Sequence, residues 1–268
     1  MRVAVLQMNS GADVLTNLQQ LRGLLRQAAE SGAELAALPE NFALLSADPS
    51  GRVAIAEDDG AGPVQDAVAD MARQTGIWLV AGTISIKSAD PARPNAACCV
   101  YDNTGTRVGR YDKVHLFDVR IPSAREAYAE SGFTLPGQKP LVIATPWGRL
   151  GIAVCYDLRF PEQFRAMAAE GLELLLLPAA FTVPTGRAHW EILLRARAIE
   201  NLCYVAAAAQ TGQHPGGRST WGHSMIVGPW GEVLADAGTA VGIAIADLDR
   251  ARLERLRDEF PVLQHRRF

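Results

Sequence analysis

The sequence predicts an α/β protein of two similar halves, each running β-α-β-α-β-β, layered as helix, sheet, sheet, helix. Three observations predict it. The chain repeats itself: Gly32-Ala33-Glu34-Leu35 leading to Leu38-Pro39 and Phe42 matches Gly171-Leu172-Glu173-Leu174 leading to Leu177-Pro178 and Phe181 at a constant offset of 139. The segments ELAAL and ELLLL within those repeats lack polar alternation, as strands do when both sheet faces are covered. The first helical segment is apolar along one stripe only, so it covers a sheet with one side.

In chain order, residues 3–7 read as the first strand. Val14, Leu18, Leu21, Leu25 and Ala28 then recur at spacings of four and three, while Asn17, Gln19, Gln20 and Arg22 occupy other faces. ELAAL follows as the second strand, then a second helix, a third strand, and a hairpin-like strand at 96–101 turning at Asp102-Asn103-Thr104-Gly105. The second half repeats the order with a strand at 150–155, a helix, ELLLL, another helix and strand, and residues 223–227 turning at Gly228-Pro229-Trp230-Gly231. If helices cover one face of each sheet, the other two faces pack together most economically, giving a four-layer αββα sandwich with pseudo-twofold halves. A doubly wound sheet satisfies the same periodicities. No linker-like stretch divides the chain, and residues 1–268 read as one domain.

The formal charge of −3, from 26 basic and 29 acidic residues, argues against nucleic acid or an anionic membrane surface as partner. No apolar run approaches the ~18 residues of a membrane span, and the N-terminal MRVAVLQMN does not resemble a secretory signal. The four cysteines, Cys98, Cys99, Cys155 and Cys203, lie in apolar strand-like runs without C-x-x-C pairing. Free thiols in a reducing cytoplasm are the simplest expectation.

Familiar cofactor and hydrolase signatures are missing. Gly60-Ala61-Gly62-Pro63 begins like a dinucleotide loop but lacks the third glycine and follows no strand, and no phosphate-binding G-x-x-x-x-G-K-[ST] occurs. The five histidines show no metal-ligand spacing, and there is no G-x-S-x-G elbow. Neither metal nor organic cofactor is expected.

What remains is a thiol at a strand end. Cys155 follows Leu150-Gly151-Ile152-Ala153-Val154 and precedes a turn into a helix at Pro161. There, backbone N–H groups and a nearby helix N-terminus favour a thiolate and a developing oxyanion. A small buried hydrophobe is the alternative for Cys155. Two charges also stand at strand ends: Glu40 after Ala37-Leu38-Pro39, and Lys113 after Tyr111-Asp112. Taken singly, Glu40 reads as a solvent-facing helix cap and Lys113 as an ion-pair partner of Asp112. Strand-end charges invite a site, and it is the combination of Glu, Lys and Cys that counts.

LPEN around Glu40, YDKVHLFD around Lys113 and GIAVCYDLRFPE around Cys155 resemble, in order and spacing, the three catalytic signatures of the nitrilase or carbon-nitrogen hydrolase superfamily. The resemblance runs essentially end to end. Within the superfamily, PTGRAHWEILLRARAIENLCYVAAAAQTGQH, WGHSMIVGPWGEV and FPVLQHRRF resemble the deaminated-glutathione amidase branch, with the omega-amidases adjacent. The resemblance implies an αββα sandwich that associates as a homodimer or larger homo-oligomer and acts on a small-molecule amide. It also implies Cys155 as nucleophile, Glu40 as general base and acid, and Lys113 with the backbone N–H of Tyr156 as the oxyanion site.

The family often carries a second glutamate after the lysine, and Glu130 stands where it is expected, to orient Lys113 and the substrate amide. An exposed loop carboxylate is the other reading of Glu130. Residues 118–137, rich in loop-forming types, form a candidate flap over the pocket. Related amidases of carboxylated substrates carry an arginine shortly after the nucleophile, which falls on Arg159, although an ion pair with Glu162 would also occupy it. Arg187 and His189, beyond the ELLLLP strand, are further candidates for the mouth of the site, with a helix-start packing pair of His189 and Trp190 as the alternative. Arg195 and Arg197 suit helix-face ion pairing, since Glu191 precedes Arg195 by four. Three functions fit: cleavage of deaminated glutathione to 2-oxoglutarate and cysteinylglycine, an omega-amidase acting on 2-oxoglutaramate, or a catalytically idle scaffold. The complete Glu40, Lys113 and Cys155 set favours an enzyme.

Overall fold

The structure is a computed structural model and describes residues 1–121 and 126–267. Its first strand, β1 (Arg2–Gln7), shows why the layers form. Val3 and Val5 are buried with Ile152, Leu175 and Ala206 of the second half, whereas Ala4 and Leu6 are buried with Leu21, Leu25 and Ala28 of helix α1 (Val14–Glu30). One face of the strand therefore meets another sheet and the other meets helices, which is the alternation of side chains along an extended chain put to use twice. Asp13 caps α1, its carboxylate accepting from Thr16 N at 2.7 Å.

The first half continues with β2 (Leu35–Ala37), a short α2 (Gly51–Ala54), α3 (Pro63–Thr75), β3 (Trp78–Val80), β4 (Ile84–Ile86), β5 (Asn95–Tyr101) and β6 (Arg107–Asp112). A two-stranded hairpin of β7 (Asp118–Ile121) and β8 (Glu126–Ala129) follows. The second half holds β9 (Leu141–Thr145), β10 (Gly148–Ile152), α4 (Pro161–Ala169), β11 (Leu174–Ala179), α5 (Val183–Asn201), β12 (Tyr204–Ala209), β13 (Thr211–Gln213), β14 (Ser219–Trp221), β15 (Met225–Val227), β16 (Val233–Asp236), β17 (Gly242–Asp247) and α6 (Arg250–Glu259).

Hydrogen bonding arranges these strands as two main sheets, β17-β1-β2-β3-β5-β4 with β6 beside β5, and β16-β15-β12-β11-β10-β9, beside the two-stranded pairs β7-β8 and β13-β14. Each has three parallel central strands, β1-β2-β3 and β10-β11-β12, flanked by antiparallel ones. Helices α1 and α3 cover the first sheet and α4 and α5 the second, so the architecture is the αββα sandwich and not a doubly wound sheet. The repeat is physical as well as textual. Glu34 accepts the N–H of Arg2 at 2.7 Å, and its counterpart Glu173 accepts that of Arg149 at 2.8 Å, each carboxylate tying its strand to the neighbouring one.

Local boundaries differ from expectation where function intervenes. The strand expected over 150–155 ends at Ile152, and Cys155 opens a single 3₁₀ turn, Cys155–Arg159. Likewise the segment 223–227 is strand only from Met225, because His223 adopts a left-handed backbone (φ 55°). Residues 118–137 are not a plain loop: β7 and β8 pair, and residues 122–125 of the expected flap lie outside the described residues.

Candidate active site

The C-terminal ends of two parallel strands, β2 and β10, and of the antiparallel β6 gather three of the predicted side chains. Glu40 lies just past β2, on a turn where Asn41 has φ 57°. The turn is held from both sides: Thr83 Oγ1 accepts the Asn41 N–H at 2.8 Å, and Gln210 Nε2 donates to the Glu40 carbonyl at 3.0 Å. Gly82 (φ 43°) is required there, since a Cβ would sit 2.1 Å from the Pro39 carbonyl oxygen. Lys113 follows β6, with its own N–H on Ala96 O at 3.0 Å and its carbonyl taken by Gly137 N at 2.8 Å.

Cys155 sits on the turn after β10 with φ 49°, an unusual conformation for a residue with a side chain. Asp157, fully buried, holds that turn. Its carboxylate accepts from Val154 N at 2.8 Å, Tyr111 Oη at 2.7 Å and His115 N at 3.0 Å, with His115 Nδ1 at 2.8 Å. One carboxylate thus binds the residue before the nucleophile to residues two positions either side of Lys113. The Tyr156 N–H has no acceptor among the described residues, and Ala180 N–H faces the Cys155 sulfur.

Lys113 Nζ donates to Glu40 Oε1 at 2.8 Å and to Glu130 Oε2 and Oε1 at 2.8 and 3.1 Å. The ammonium is 1% exposed. Glu130 also accepts the Phe117 N–H at 2.7 Å and faces Arg52 Nη1 at 3.4 Å. Burial alone would depress the lysine, but the carboxylates of Glu130 and Glu40 raise it well above its ordinary value, so it stays charged. Burial would equally raise Glu130; Lys113, Arg52 and the Phe117 N–H overcome that and hold it well below the usual carboxylate range. The expected thiolate at Cys155 is not what these charges favour. Burial and the neighbouring Glu40 carboxylate push the thiol well up, against the opposing pull of Lys113 and Ala180 N–H. The resting group is a thiol, hydrogen-bonded to Glu40.

The readings of Glu40 as a surface cap and of Lys113 as a partner of Asp112 do not hold, because both charges are buried against each other while Asp112 pairs with Arg110 at 2.9 Å. Glu130 is not an exposed loop carboxylate; its side chain is 9% exposed. All four groups line one cavity of about 470 Å³, together with Tyr156 and Arg159. Arg187 and His189 do not line it. Both are exposed residues inside α5, Arg187 over the Trp221 ring at 5.9 Å and His189 with Nδ1 at 3.2 Å from Arg159 Nη1. Trp190, buried and donating to His223 O at 2.7 Å, does the packing there.

The carbon-nitrogen hydrolase profile matches residues 2–258. The chain belongs to the carbon-nitrogen hydrolase family. Relatives of this hydrolase include the deaminated glutathione amidase of Yersinia enterocolitica, 44% identical over 267 residues, 99% of this chain and 93% of that one. Among solved structures, the C. elegans NitFhit protein superposes with a TM-score of 0.91 at 39% identity, over 99% of this chain and 65% of that longer one. A mutant of the amidase from Nesterenkonia sp. AN1, showing the result of Michael addition of acrylamide at the active site cysteine, has a TM-score of 0.79 at 31% identity, covering 97% of this chain and 98% of that one. The hydrolase described here is therefore an enzyme acting on carbon-nitrogen bonds. Among its described residues no group of three His, Cys, Asp or Glu could hold a metal ion, and no helix is long and apolar enough to cross a membrane.

Sequence reasoning missed several residues of this carbon-nitrogen hydrolase. Arg52 and Arg218 both line the cavity, and nothing in their neighbours' spacing marks them. Asp157 stands two residues after the nucleophile, and that closeness within the CYDLRFPE run was the available signal. Arg195 does pair with Glu191, at 3.1 Å, as its spacing predicts. Arg197 pairs with Glu200 at 2.7 Å, but it is buried and also donates through Nη2 and Nε to Leu158 O at 2.8 and 3.1 Å, bracing the nucleophile turn from beneath.

Proposed function

We propose that this hydrolase cleaves the amide of deaminated glutathione, giving 2-oxoglutarate and cysteinylglycine through a Cys155 thioester. The observation that carries the reading is the Glu40–Lys113–Glu130 hydrogen-bonded chain meeting the Cys155 thiol in one cavity, in a chain whose relative is named a deaminated glutathione amidase. Because the thiol is protonated at rest, Glu40 takes its proton as sulfur attacks the carbonyl carbon. The C=O π pair moves to oxygen, where Lys113 Nζ and the free Tyr156 N–H receive it. Collapse of the tetrahedral intermediate breaks the C–N bond, and Glu40 hands its proton to the departing amine. A water then gives a proton to Glu40 and attacks the thioester; collapse releases the 2-oxo acid and returns the proton to sulfur. Glu130 keeps Lys113 aimed throughout, and Arg159, which borders the cavity, takes the carboxylate of the 2-oxo acid.

Turnover of deaminated glutathione and of 2-oxoglutaramate under identical conditions tests this. A higher kcat/KM for deaminated glutathione is expected; preference for 2-oxoglutaramate would make the protein an omega-amidase, and inertness towards both would refute the 2-oxo acid substrate class. We also propose that residues 1–268 act as one domain, in a reducing cytoplasm that suits four unpaired thiols. Self-association into a homodimer or larger assembly is supported by the exposed Trp230 and Phe260, in edge contact at 5.4 Å. Light scattering that returns a monomer mass would refute it.

A further inference from the structure

Among the described residues four cations line the cavity, and two of them are already neutralised. Lys113 is matched by Glu40 and Glu130, and Arg52 by Glu130. The cavity's remaining carboxylates are engaged elsewhere: Glu126 with Tyr128 Oη at 2.9 Å, and Asp48 with Ser50 N at 2.8 Å and Ser50 Oγ at 2.6 Å. Arg159 and Arg218 are left, and among the described residues neither has an acidic partner. Arg159 rests over the rings of Tyr156 (5.8 Å) and Phe181 (5.2 Å).

Arg218 is held on a different wall. Its Nη2 donates to Ala180 O at 2.7 Å, and its guanidinium lies over the Tyr128 ring of β8 at 5.5 Å. Ala180 is also the residue whose N–H faces the Cys155 sulfur, so the guanidinium is anchored beside the nucleophile. Its Nε is buried with no hydrogen-bond partner. A buried donor on a cation, left without an acceptor, is unfavourable. The guanidinium that lines the cavity therefore keeps donor capacity beyond its one bond to Ala180 O.

We infer that Arg218 binds the carboxylate of the leaving group, the second of two guanidiniums that match a dicarboxylate amide. The inference rests on the proposed substrate. Deaminated glutathione carries one carboxylate on the 2-oxo acid and another on the terminal glycine, on opposite sides of the scissile amide. With Arg159 taking the first, Arg218 is the cation among the described cavity residues left without an acidic partner for the second. 2-Oxoglutaramate has no second carboxylate and gains nothing from Arg218.

The test pairs a variant with an altered substrate. Arg218→Gln is expected to lower kcat/KM for deaminated glutathione about 10–100-fold more than for 2-oxoglutaramate, chiefly through KM, the loss of one charge-assisted hydrogen bond. In wild type, replacing the terminal glycine by glycinamide is expected to produce the same loss, and in Arg218→Gln little further loss. An equal fall on both substrates, or none, overturns the inference. If the variant fails to fold, the glycinamide substrate on wild type still decides: undiminished kcat/KM overturns it. A wild type inert towards both amides refutes the substrate reading, and the inference with it.

Discussion

Glu130→Gln separates a four-residue site from a three-residue one. In the native carboxylate, Oε2 accepts both Lys113 Nζ and Phe117 N, while Oε1 faces Lys113 Nζ at 3.1 Å and Arg52 Nη1 at 3.4 Å. An amide has only one acceptor oxygen. With it on the Phe117 side, the new NH₂ points donors at two donors, and Lys113 keeps one contact and loses one of its two opposing charges. The ammonium then turns toward Glu40, away from the oxyanion position. Loss of positioned oxyanion stabilisation costs about 10²–10³ in rate, roughly 2.7–4 kcal/mol. The fold loses less, because Lys113 and Glu40 still balance and Arg52 is partly exposed. About 1–2 kcal/mol is expected for the mismatched buried hydrogen bonds, a fall of roughly 2–8 °C in Tm for a chain of this size. The assay is single-turnover acylation at saturating substrate with a melting curve on the same preparation. Acylation within about threefold of wild type would remove Glu130 from the mechanism, and a Tm at or below the assay temperature would recast it as structural.

Three further outcomes are expected. Substoichiometric iodoacetamide with peptide mapping should label Cys155 first, since only it among the four buried thiols borders the cavity; preferential loss of Cys98, Cys99 or Cys203 with activity intact would refute its role. Glu40→Gln should abolish turnover yet move the alkylation pH profile of Cys155 downward, because the carboxylate that opposes the thiolate is gone while Lys113 remains; an upward or absent shift would contradict the electrostatics. His214 is buried, Nδ1 2.9 Å from Ser10 O and Nε2 2.7 Å from Thr220 Oγ1, and burial lowers its pKa below the ordinary 6.5. The unfolded chain therefore binds the extra proton more readily, so the stability tied to neutral His214 is present above about pH 6.5 and is lost as pH falls below it. Melting curves from pH 7 to 5 should decline less steeply in His214→Asn than in wild type, and parallel declines would refute this.

The repeat, the one-sided first helix and the non-alternating strands made two α/β halves legible, because burial on one face or two is written into period and composition, but a doubly wound sheet fits the same periods and the stacking of the two sheets decided the layer order. The Glu40, Lys113 and Cys155 motifs were legible as a set: each has a plain structural reading when taken singly, and their combination and order along the chain marked the site. What only the tertiary structure decided is how distant groups act on one another. The protonation of Cys155 follows from burial and from Glu40, 115 residues earlier in the chain, outweighing Lys113. Glu130 was expected beside Lys113 from the family resemblance, but that a β7–β8 hairpin carries it there was not revealed by loop-like composition. Arg187 and His189 looked suitable by their place after β11, but α5 turns them to solvent. Arg218, which no spacing marks, reaches the cavity because β13 and β14 return the chain to Ala180. Charge neutralisation and desolvation depend on separations in space, and those are set by how the two sheets stack.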